Sequence, residues 1–345
     1  MAPQLPIDIL PEILKHFVGE LDEQEVLHNL LFVNWTWCHN VLPLLWSNPF
    51  LLCQQPENRV KLVNTFVSCL SDHDKAFLAS RNPDIEIRPE PTTKYAKYIT
   101  VLEEKNIIES VNSWYEQLPK PPKKEKKNTL GTEGGETAAV EGGAETDNEN
   151  ESRRENERKY EATVVSAMLF KMFVERSNHI KWFNLDCDVI NAKWYDGAIT
   201  HQDYMADKIL KSVAKHQQSL DRLAVVFNSG GTQADTTELA KLVVDCIKVQ
   251  GRFLRDFVIE NAGGEEFAEM HHALKPRANS LKRVGYTQCD FTKFPWAVGI
   301  EILSQVNELY FIACTNLRDS QLQQLEGRME KPFPEFYYYV LKGLE

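Results

Sequence analysis

An apolar pattern that recurs five times in the C-terminal half constrains this chain more than any other feature. Each copy has three anchors in the spacing anchor-x-x-anchor-x-anchor, and stretches of helical periodicity separate the copies. The middle anchors lie 40, 34, 27 and 25 residues apart. A strand and a helix of this size cannot bury their own apolar face, so we expect the copies to stack into a curved parallel sheet. The anchors are Ile180, Phe183 and Leu185; Leu220, Leu223 and Val225; Leu254, Phe257 and Ile259; Leu281, Val284 and Tyr286; and Val306, Leu309 and Phe311.

The fifth residue after each middle anchor supports this pattern. In order, the five copies have Asp188, Asn228, Ala262, Cys289 and Cys314 there. We expect this side chain to turn inward and to satisfy backbone groups where the strand bends. Leucine-rich repeats typically have Asn or Cys at this position, so the C-terminal half resembles the cysteine-containing class of that family. An ordinary α/β domain, in which strands also alternate with helices, is the alternative.

Residues 1–50 contain a dense set of apolar and aromatic side chains. Three tryptophans, Trp35, Trp37 and Trp46, lie within twelve residues, too many for so short a segment to bury alone. A patch of this kind usually marks the interface with a partner. Packing onto the rest of the same chain is the alternative.

The same segment resembles an F-box over about 45 residues. The sequence matches the elements of the family pattern in order. These are Leu-Pro, an acidic-apolar-apolar group, an apolar pair, a Val-Cys-x-x-Trp group and a late Leu-Trp. The sequence departs from it at Asn34, which replaces the Cys, and at Pro11, which lies inside the first helix. The matching residues are Leu5-Pro6, Asp8-Ile9-Leu10, Ile13-Leu14, Val33 to Trp37, and Leu45-Trp46.

The resemblance implies a non-catalytic substrate receptor of a Skp-cullin-F-box ubiquitin ligase. In that family the F-box binds the Skp adaptor and through it the cullin, and the repeats hold a protein substrate. A repeat scaffold that acts outside any ligase is the alternative, and an unrecognised α/β enzyme is a third hypothesis. The adaptor-binding positions carried over are Leu5, Pro6, Leu10, Ile13, Leu14, Val33, Trp37 and Trp46. The expected substrate-binding positions on the concave face are Asn184, Asp186, Val226, Glu260, Arg283, Thr287, Tyr310 and Ile312.

Composition argues against several other classes. The net charge of -11 disfavours a nucleic-acid binder, which needs a basic surface. No apolar run reaches 18 residues, so we expect no membrane span. The seven widely spaced cysteines indicate a reducing compartment, cytoplasm or nucleus, rather than a disulfide framework.

No motif predicts a cofactor or a metal. Neither Gly-rich stretch continues as a nucleotide-binding loop. Glu269 and His272 have the spacing of metal ligands on a helix, but no second such pair occurs. We therefore expect His271 and His272 to lie on the surface.

The predicted class is α+β, in four segments. An all-α F-box of three short helices (1–50) precedes a helical connector (51–118). Residues 119–159 have too little apolar sequence to fold and are predicted to be a disordered charged linker. Residues 160–345 form the α/β leucine-rich-repeat solenoid.

Overall fold

A computed structural model describes residues 9–15, 21–53, 55–82, 85–118, 147–187, 206–227, 233–264, 266–328 and 338–339. Thirteen α-helices lie within these ranges. They are α1 (Leu10–Lys15), α2 (Leu21–Leu30), α3 (Trp35–Leu45), α4 (Pro49–Leu52), α5 (Pro56–Ser68), α6 (Asp72–Arg81), α7 (Glu104–Gln117), α8 (Asp147–Arg176), α9 (Ala206–His216), α10 (Gln233–Val249), α11 (Glu266–Leu274), α12 (Trp296–Leu303) and α13 (Asp319–Glu326).

One open parallel sheet runs through the molecule in sequence order. Six strands have three to five residues, and a two-residue strand pairs with the last of them. The strands are β1 (Val101–Glu103), β2 (Trp182–Asp186), β3 (Arg222–Val226), β4 (Asp256–Glu260), β5 (Arg283–Thr287), β6 (Glu308–Ile312) and β7 (Tyr338–Tyr339). The predicted α+β class with a parallel sheet is confirmed.

The predicted anchors determine how the sheet packs. Every anchor of the five copies is buried, and the middle anchor is the second residue of each strand from β2 to β6. Successive strand residues point to opposite faces, so the middle and last anchors share the face that the helices cover. From α7 to α13, each helix packs against the next, forming one helical layer. No helix of the described residues covers the opposite face of the sheet.

A repeated backbone arrangement joins the amino ends of neighbouring strands. One carbonyl oxygen accepts hydrogen bonds from two successive N–H groups of the next unit, at distances of 2.7 to 3.1 Å. The first acceptor, Ser47, lies just after α3 and receives the N–H groups of Thr100 and Val101. The later acceptors are Thr100, Lys181, Asp221, Arg255 and Lys282. This carbonyl ladder therefore begins at the end of the N-terminal helices rather than at the first strand.

Two buried glutamines reinforce the same edge of the sheet. Gln217 accepts the Ile180 N–H at 2.9 Å, and Gln250 accepts the Leu220 N–H at 2.8 Å. The Gln250 amide also donates to the Gln217 carbonyl oxygen at 2.8 Å. Each glutamine thus satisfies a backbone group that stacking would otherwise leave buried without a partner.

The carboxyl ends of the later strands bend sharply. Asn261, Gln288 and Ala313 each follow a strand directly and adopt positive φ values of 55°, 51° and 51°. Because this left-handed conformation is costly for residues with a side chain, surrounding contacts must maintain it. It turns the next residue of each unit inward.

The inward residues of the last two units act as the sequence predicts. The Cys289 thiol lies 3.6 Å from the Ile259 carbonyl oxygen, and the Cys314 thiol lies 3.5 Å from that of Tyr286. Each thiol therefore donates to the strand of the preceding unit. Asp188 and Asn228 lie outside the described residues.

The first strand lies in the segment 51–118, which the sequence predicts to be a helical connector. β1 is a strand within that segment, so the helical prediction is wrong at Val101–Glu103. Ile99 and Leu102 occupy the first two anchor positions and are buried. Glu104 occupies the third anchor position. Because its side chain is not apolar, a pattern of three apolar anchors does not include this copy.

The segment 51–118 also shares its core with the repeats. Phe66 of α5 lies 4.6 Å between ring centroids from Phe173 of α8, and Phe50 lies 5.6 Å from the same ring. One continuous hydrophobic cluster runs from Phe50 to Leu325. The predicted boundary therefore does not separate two cores.

The predicted linker is shorter than composition suggests. Helix α8 begins at Asp147, so residues 147–159 are helical and not part of a disordered segment. Their Glu, Arg and Lys residues supply little apolar surface but have high helix propensity. Residues 119–146 lie outside the described residues.

Glu104 is a carboxyl group in an apolar anchor position. One side-chain oxygen accepts the Asp186 N–H at 2.5 Å, and the other is buried without a hydrogen-bond partner in the described structure. Burial raises the pKa of Glu104 from 4.5 to about 9, and the Asp186 carboxylate adds to the rise. The folded protein therefore holds this carboxyl group protonated at neutral pH.

Replacing Glu104 by Gln changes how stability depends on pH. An acid with a raised pKa stabilises the fold fully below its unfolded pKa, and this contribution is lost as pH rises toward its folded pKa. The free energy of unfolding of the wild type should therefore fall relative to Glu104→Gln between pH 4.5 and about 9. Urea unfolding at several pH values measures this difference. Glu116→Gln, at an exposed position of the same helix, controls for the change of charge. A constant difference between wild type and Glu104→Gln would contradict the prediction.

Candidate protein-binding surfaces

Helices α1, α2 and α3 form a small unit with its own core. Leu10 and Leu14 from α1 pack with Leu27 of α2 and Val41 of α3, and all four are buried. Half-buried residues that pack against them are Leu30, Leu31, Trp37, Leu44 and Leu45. This cluster is separate from the core of the sheet.

The two residues that depart from the F-box pattern, Asn34 and Pro11, both lie at the starts of helices in this unit. Asn34 is the N-cap of α3, and its side-chain oxygen accepts the Trp37 N–H at 3.1 Å. Pro11 is the second residue of α1, in the first turn, where a missing N–H costs no helical hydrogen bond. Neither residue disrupts the helices.

An exposed apolar patch lies at the turn between α2 and α3. We define the N-terminal apolar patch as Phe32, Val33 and Trp35, whose exposed fractions are 75%, 55% and 76%. Five of the ten exposed large apolar side chains in the described residues lie between Ile9 and Trp35. This density of exposed apolar surface is unusual for a region that remains free in solution.

The predicted adaptor-binding residues divide into exposed and supporting positions. Val33 is exposed, and Ile13 and Trp37 are half-buried. Leu10 and Leu14 are buried inside the unit and support the patch from within. Leu5 and Pro6 lie outside the described residues.

Trp46 joins the N-terminal unit to the sheet. Its ring stacks on Tyr95 at 3.9 Å between centroids and meets Phe66 edge-on at 5.6 Å. The next residue, Ser47, is the first acceptor of the carbonyl ladder. Trp46 therefore contacts this chain, and the unit is held against the first strand by ring packing and backbone hydrogen bonds.

The uncovered side of the sheet is the second candidate surface, which we call the open face. Register pairing arranges its side chains in three rows that cross the strands. The first row is Trp182, Arg222, Asp256, Arg283 and Glu308; the second is Asn184, Ala224, Val258, Gly285 and Tyr310; the third is Asp186, Val226, Glu260, Thr287 and Ile312.

Ion pairs connect most of the first row. The Arg283 guanidinium contacts the Glu308 carboxylate at 2.5 Å and that of Asp256 at 3.5 Å. Arg222 stacks over the Trp182 ring at 5.7 Å, and no acidic side chain of the described residues forms an ion pair with it.

Tyr310 lies across the centre of the open face. A Cβ atom on Gly285 would come within 2.0 Å of the Tyr310 ring, so the ring occupies the space above this glycine. Burial raises the pKa of Tyr310, while the nearby Arg222 and Arg283 act to lower it. Within the described structure its hydroxyl has no hydrogen-bond partner.

Two carboxylates face each other across the third row. Asp186 and Glu260 both neighbour Val226 in register, which places their Cα atoms about 10 Å apart. Partial burial, with the repulsion of Asp186, raises the pKa of Glu260. No cation of the described residues pairs with the Glu260 carboxylate.

All eight predicted substrate-binding residues lie on this face of β2 to β6, where the alternation of side chains predicts them. Four residues of the first row were not among the predicted positions. They are Trp182, Arg222, Asp256 and Glu308. Each directly precedes a middle anchor, so the same alternation identifies them.

The prediction that His271 lies on the surface is wrong. Its ring is fully buried, donates from Nδ1 to the Phe267 carbonyl oxygen at 2.7 Å and accepts from the Tyr286 hydroxyl at 2.6 Å. Burial lowers the pKa of His271 to about 4, so the ring is neutral. His271 is thus a structural residue of the aromatic core.

No group of three or more His, Cys, Asp or Glu side chains in the described ranges could hold a metal ion. None of the helices described here has both the length and the apolar character to cross a membrane. No protein-family model matches the chain, and no match is found among curated proteins or solved structures.

Gly285→Ala should destabilise the protein by about 1–3 kcal/mol, because the new methyl group displaces the Tyr310 ring. The same substitution should cost less than about 1 kcal/mol in a Tyr310→Ala background, since the overlap is gone. Urea unfolding of the four proteins measures the coupling. Equal losses in both backgrounds would show that the ring does not occupy this space.

Proposed function

We propose that this chain is the substrate-recognition subunit of a Skp-cullin-F-box type ubiquitin ligase. The three-helix N-terminal unit would be the F-box, and its exposed patch would bind the Skp adaptor. The array behind it would be a leucine-rich-repeat solenoid that holds a protein substrate on the open face. The exposure of Phe32, Val33 and Trp35 next to a folded three-helix core carries the proposal.

The chemistry of the patch suits a protein partner. Burying a large apolar side chain contributes about 1.5–3 kcal/mol, and a few such anchors can offset the cost of association. Phe32 and Trp35 are aromatic residues, which are enriched among the side chains that dominate binding energy. His28 and His39 lie beside these rings, at centroid distances of 5.3 and 4.5 Å, and give the patch a polar border.

The structural connection between the N-terminal apolar patch and the open face suits a receptor that positions a substrate. A ubiquitin ligase accelerates transfer by holding a substrate lysine near a thioester on another subunit. The carbonyl ladder runs from Ser47 through every unit to β6, and the ring of Trp46 packs on Tyr95. A substrate on the open face would therefore keep a defined orientation relative to the adaptor. On this proposal the protein acts in the cytoplasm or nucleus and has no catalytic residue of its own.

Adaptor binding tests the proposal directly. Purified chain should form a stable complex with a Skp adaptor, and Phe32→Ser with Trp35→Ser should weaken binding at least about tenfold, because two exposed anchors are lost. Calorimetry or a pull-down with both purified proteins measures this. Phe253→Ser is the matched control, since Phe253 is also an exposed aromatic residue, at 55%, but lies just before β4.

The outcomes separate the main hypotheses. No adaptor binding by the wild type, or equal binding by the patch variant, would remove the F-box assignment. Adaptor binding without recruitment of the cullin would instead favour a repeat scaffold that acts outside a ligase. Because the substituted side chains are exposed, circular dichroism should show unchanged folding in all variants.

A further inference from the structure

The amino ends of β2 to β6 form an edge that is strongly basic, although the whole chain has a net charge of -11. We define the basic edge as the segments that lead into these strands, residues 177–181, 217–221, 250–255, 275–282 and 304–307. All of them belong to the described residues, and they contain six Lys or Arg side chains and one carboxylate. The cations are Lys181, Arg252, Arg255, Lys275, Arg277 and Lys282, and the carboxylate is that of Asp221.

Two of these cations are used within the fold. The Lys275 ammonium pairs with the Glu301 carboxylate at 2.9 Å. Arg277 donates to three backbone carbonyl oxygens at the ends of neighbouring helices. Each of the other four is exposed and forms no ion pair with an acidic side chain of the described residues. The basic edge therefore presents four positive charges to solvent, those of Lys181, Arg252, Arg255 and Lys282.

The carbonyl ladder fixes the backbone spacing of three of these charges. The Lys181 carbonyl oxygen accepts the Asp221 N–H, that of Asp221 accepts the Arg255 N–H, and that of Arg255 accepts the Lys282 N–H, at 2.7 to 2.8 Å. Because neighbouring strands lie about 4.8 Å apart, the Cα atoms of Arg255 and Lys282 are about 5 Å apart and those of Lys181 and Arg255 about 10 Å. A row whose backbone is already ordered lowers the cost of binding a ligand.

An exposed aromatic ring lies within the basic edge. Phe253 is 55% exposed, and a Cβ atom on Gly251 would lie 3.7 Å from its ring, so the ring rests against this glycine. Arg252 directly precedes Phe253, and Arg255 follows it by two residues. Val249, at the end of α10, adds further exposed apolar surface. Cations around an exposed aromatic ring suit a ligand that has both carboxylates and an apolar side chain.

A partner protein fits this combination better than a nucleic acid does. A nucleic acid has a negative charge at every phosphate along its length, so the rest of this acidic chain repels it. A short acidic segment of a protein carries few charges beyond the basic edge, and it can also supply an apolar side chain for Phe253.

We propose that the basic edge binds a short acidic segment of a partner protein. The carboxylates of the segment pair with Lys181, Arg255 and Lys282, and one apolar side chain packs on Phe253. The row from Lys181 to Lys282 crosses three strand spacings, about 14 Å, which about four extended residues span. This inference goes beyond the proposed function, because it uses neither the N-terminal apolar patch nor the open face.

Matched probes test the charge preference without any substitution in the protein. The probe is a fluorescein-labelled decapeptide of alternating glutamate and serine with one central leucine, and its partner has lysine in place of glutamate. Fluorescence anisotropy with the full chain should show binding of the glutamate peptide only, weakening as salt increases. Equal or tighter binding of the lysine peptide would overturn the inference. Tighter binding of a labelled oligothymidylate of the same length would also overturn it, in favour of a nucleic acid.

Substitutions in the basic edge then locate the site. Arg255→Gln and Lys282→Gln should each weaken binding of the glutamate peptide about threefold, since each removes one exposed ionic partner. Phe253→Ser should weaken it about fivefold through loss of the apolar contact. Lys241→Gln removes an exposed cation from the middle of α10, away from the edge, and is the matched control.

The outcomes separate this inference from the proposed function. If Lys241→Gln weakens binding as much as Lys282→Gln, the peptide responds to overall charge and the inference is wrong. Unchanged binding by both the Arg255 and the Lys282 variants would contradict it as well. The double variant at Phe32 and Trp35 should keep its affinity for the peptide, and Phe253→Ser should keep adaptor binding. Absence of adaptor binding alone therefore rejects the proposed function, and absence of peptide binding alone rejects this inference.

Discussion

The architecture depends on the way that each unit satisfies the backbone of the next. A parallel sheet without a helical cover on one side must pair every buried N–H and C=O group at its edges, because unpaired groups cost free energy. The carbonyl ladder and the two buried glutamines do this at the amino ends of the strands. The thiols of Cys289 and Cys314 do it at the carboxyl ends. With these bonds made, burial of the anchors stabilises a stack of units that are individually too small to fold.

The same ladder connects two surfaces that lie far apart in the sequence. Its first acceptor belongs to the N-terminal helical unit and its last to the unit before β6. The N-terminal apolar patch and the open face are therefore parts of one hydrogen-bonded framework. The insertion of residues 119–146 after α7 does not interrupt it, since β1 pairs with β2 across the gap in sequence.

The open face and the covered face of the sheet accept different kinds of side chain. The covered face needs apolar side chains at fixed spacing, whereas the open face tolerates any side chain that strand geometry allows. This freedom permits the Glu260 carboxylate and the placement of Tyr310 over Gly285. Glu104 is the opposite case, a carboxyl group kept uncharged because it lies on the covered face.

The sequence by itself determined the five strands from β2 to β6, the inward cysteines and the eight predicted residues of the open face, because anchor spacing and side-chain alternation are local properties. It also placed a dense apolar segment at the N-terminus. It did not find β1, whose third anchor is the carboxyl group of Glu104, nor the buried His271, whose partner Tyr286 lies on another element. The carbonyl ladder, the contact of Trp46 with Tyr95 and the exposure of Phe32 were decided by tertiary structure alone. They depend on which units become neighbours, and local spacing carries no information about contacts between residues far apart in the chain.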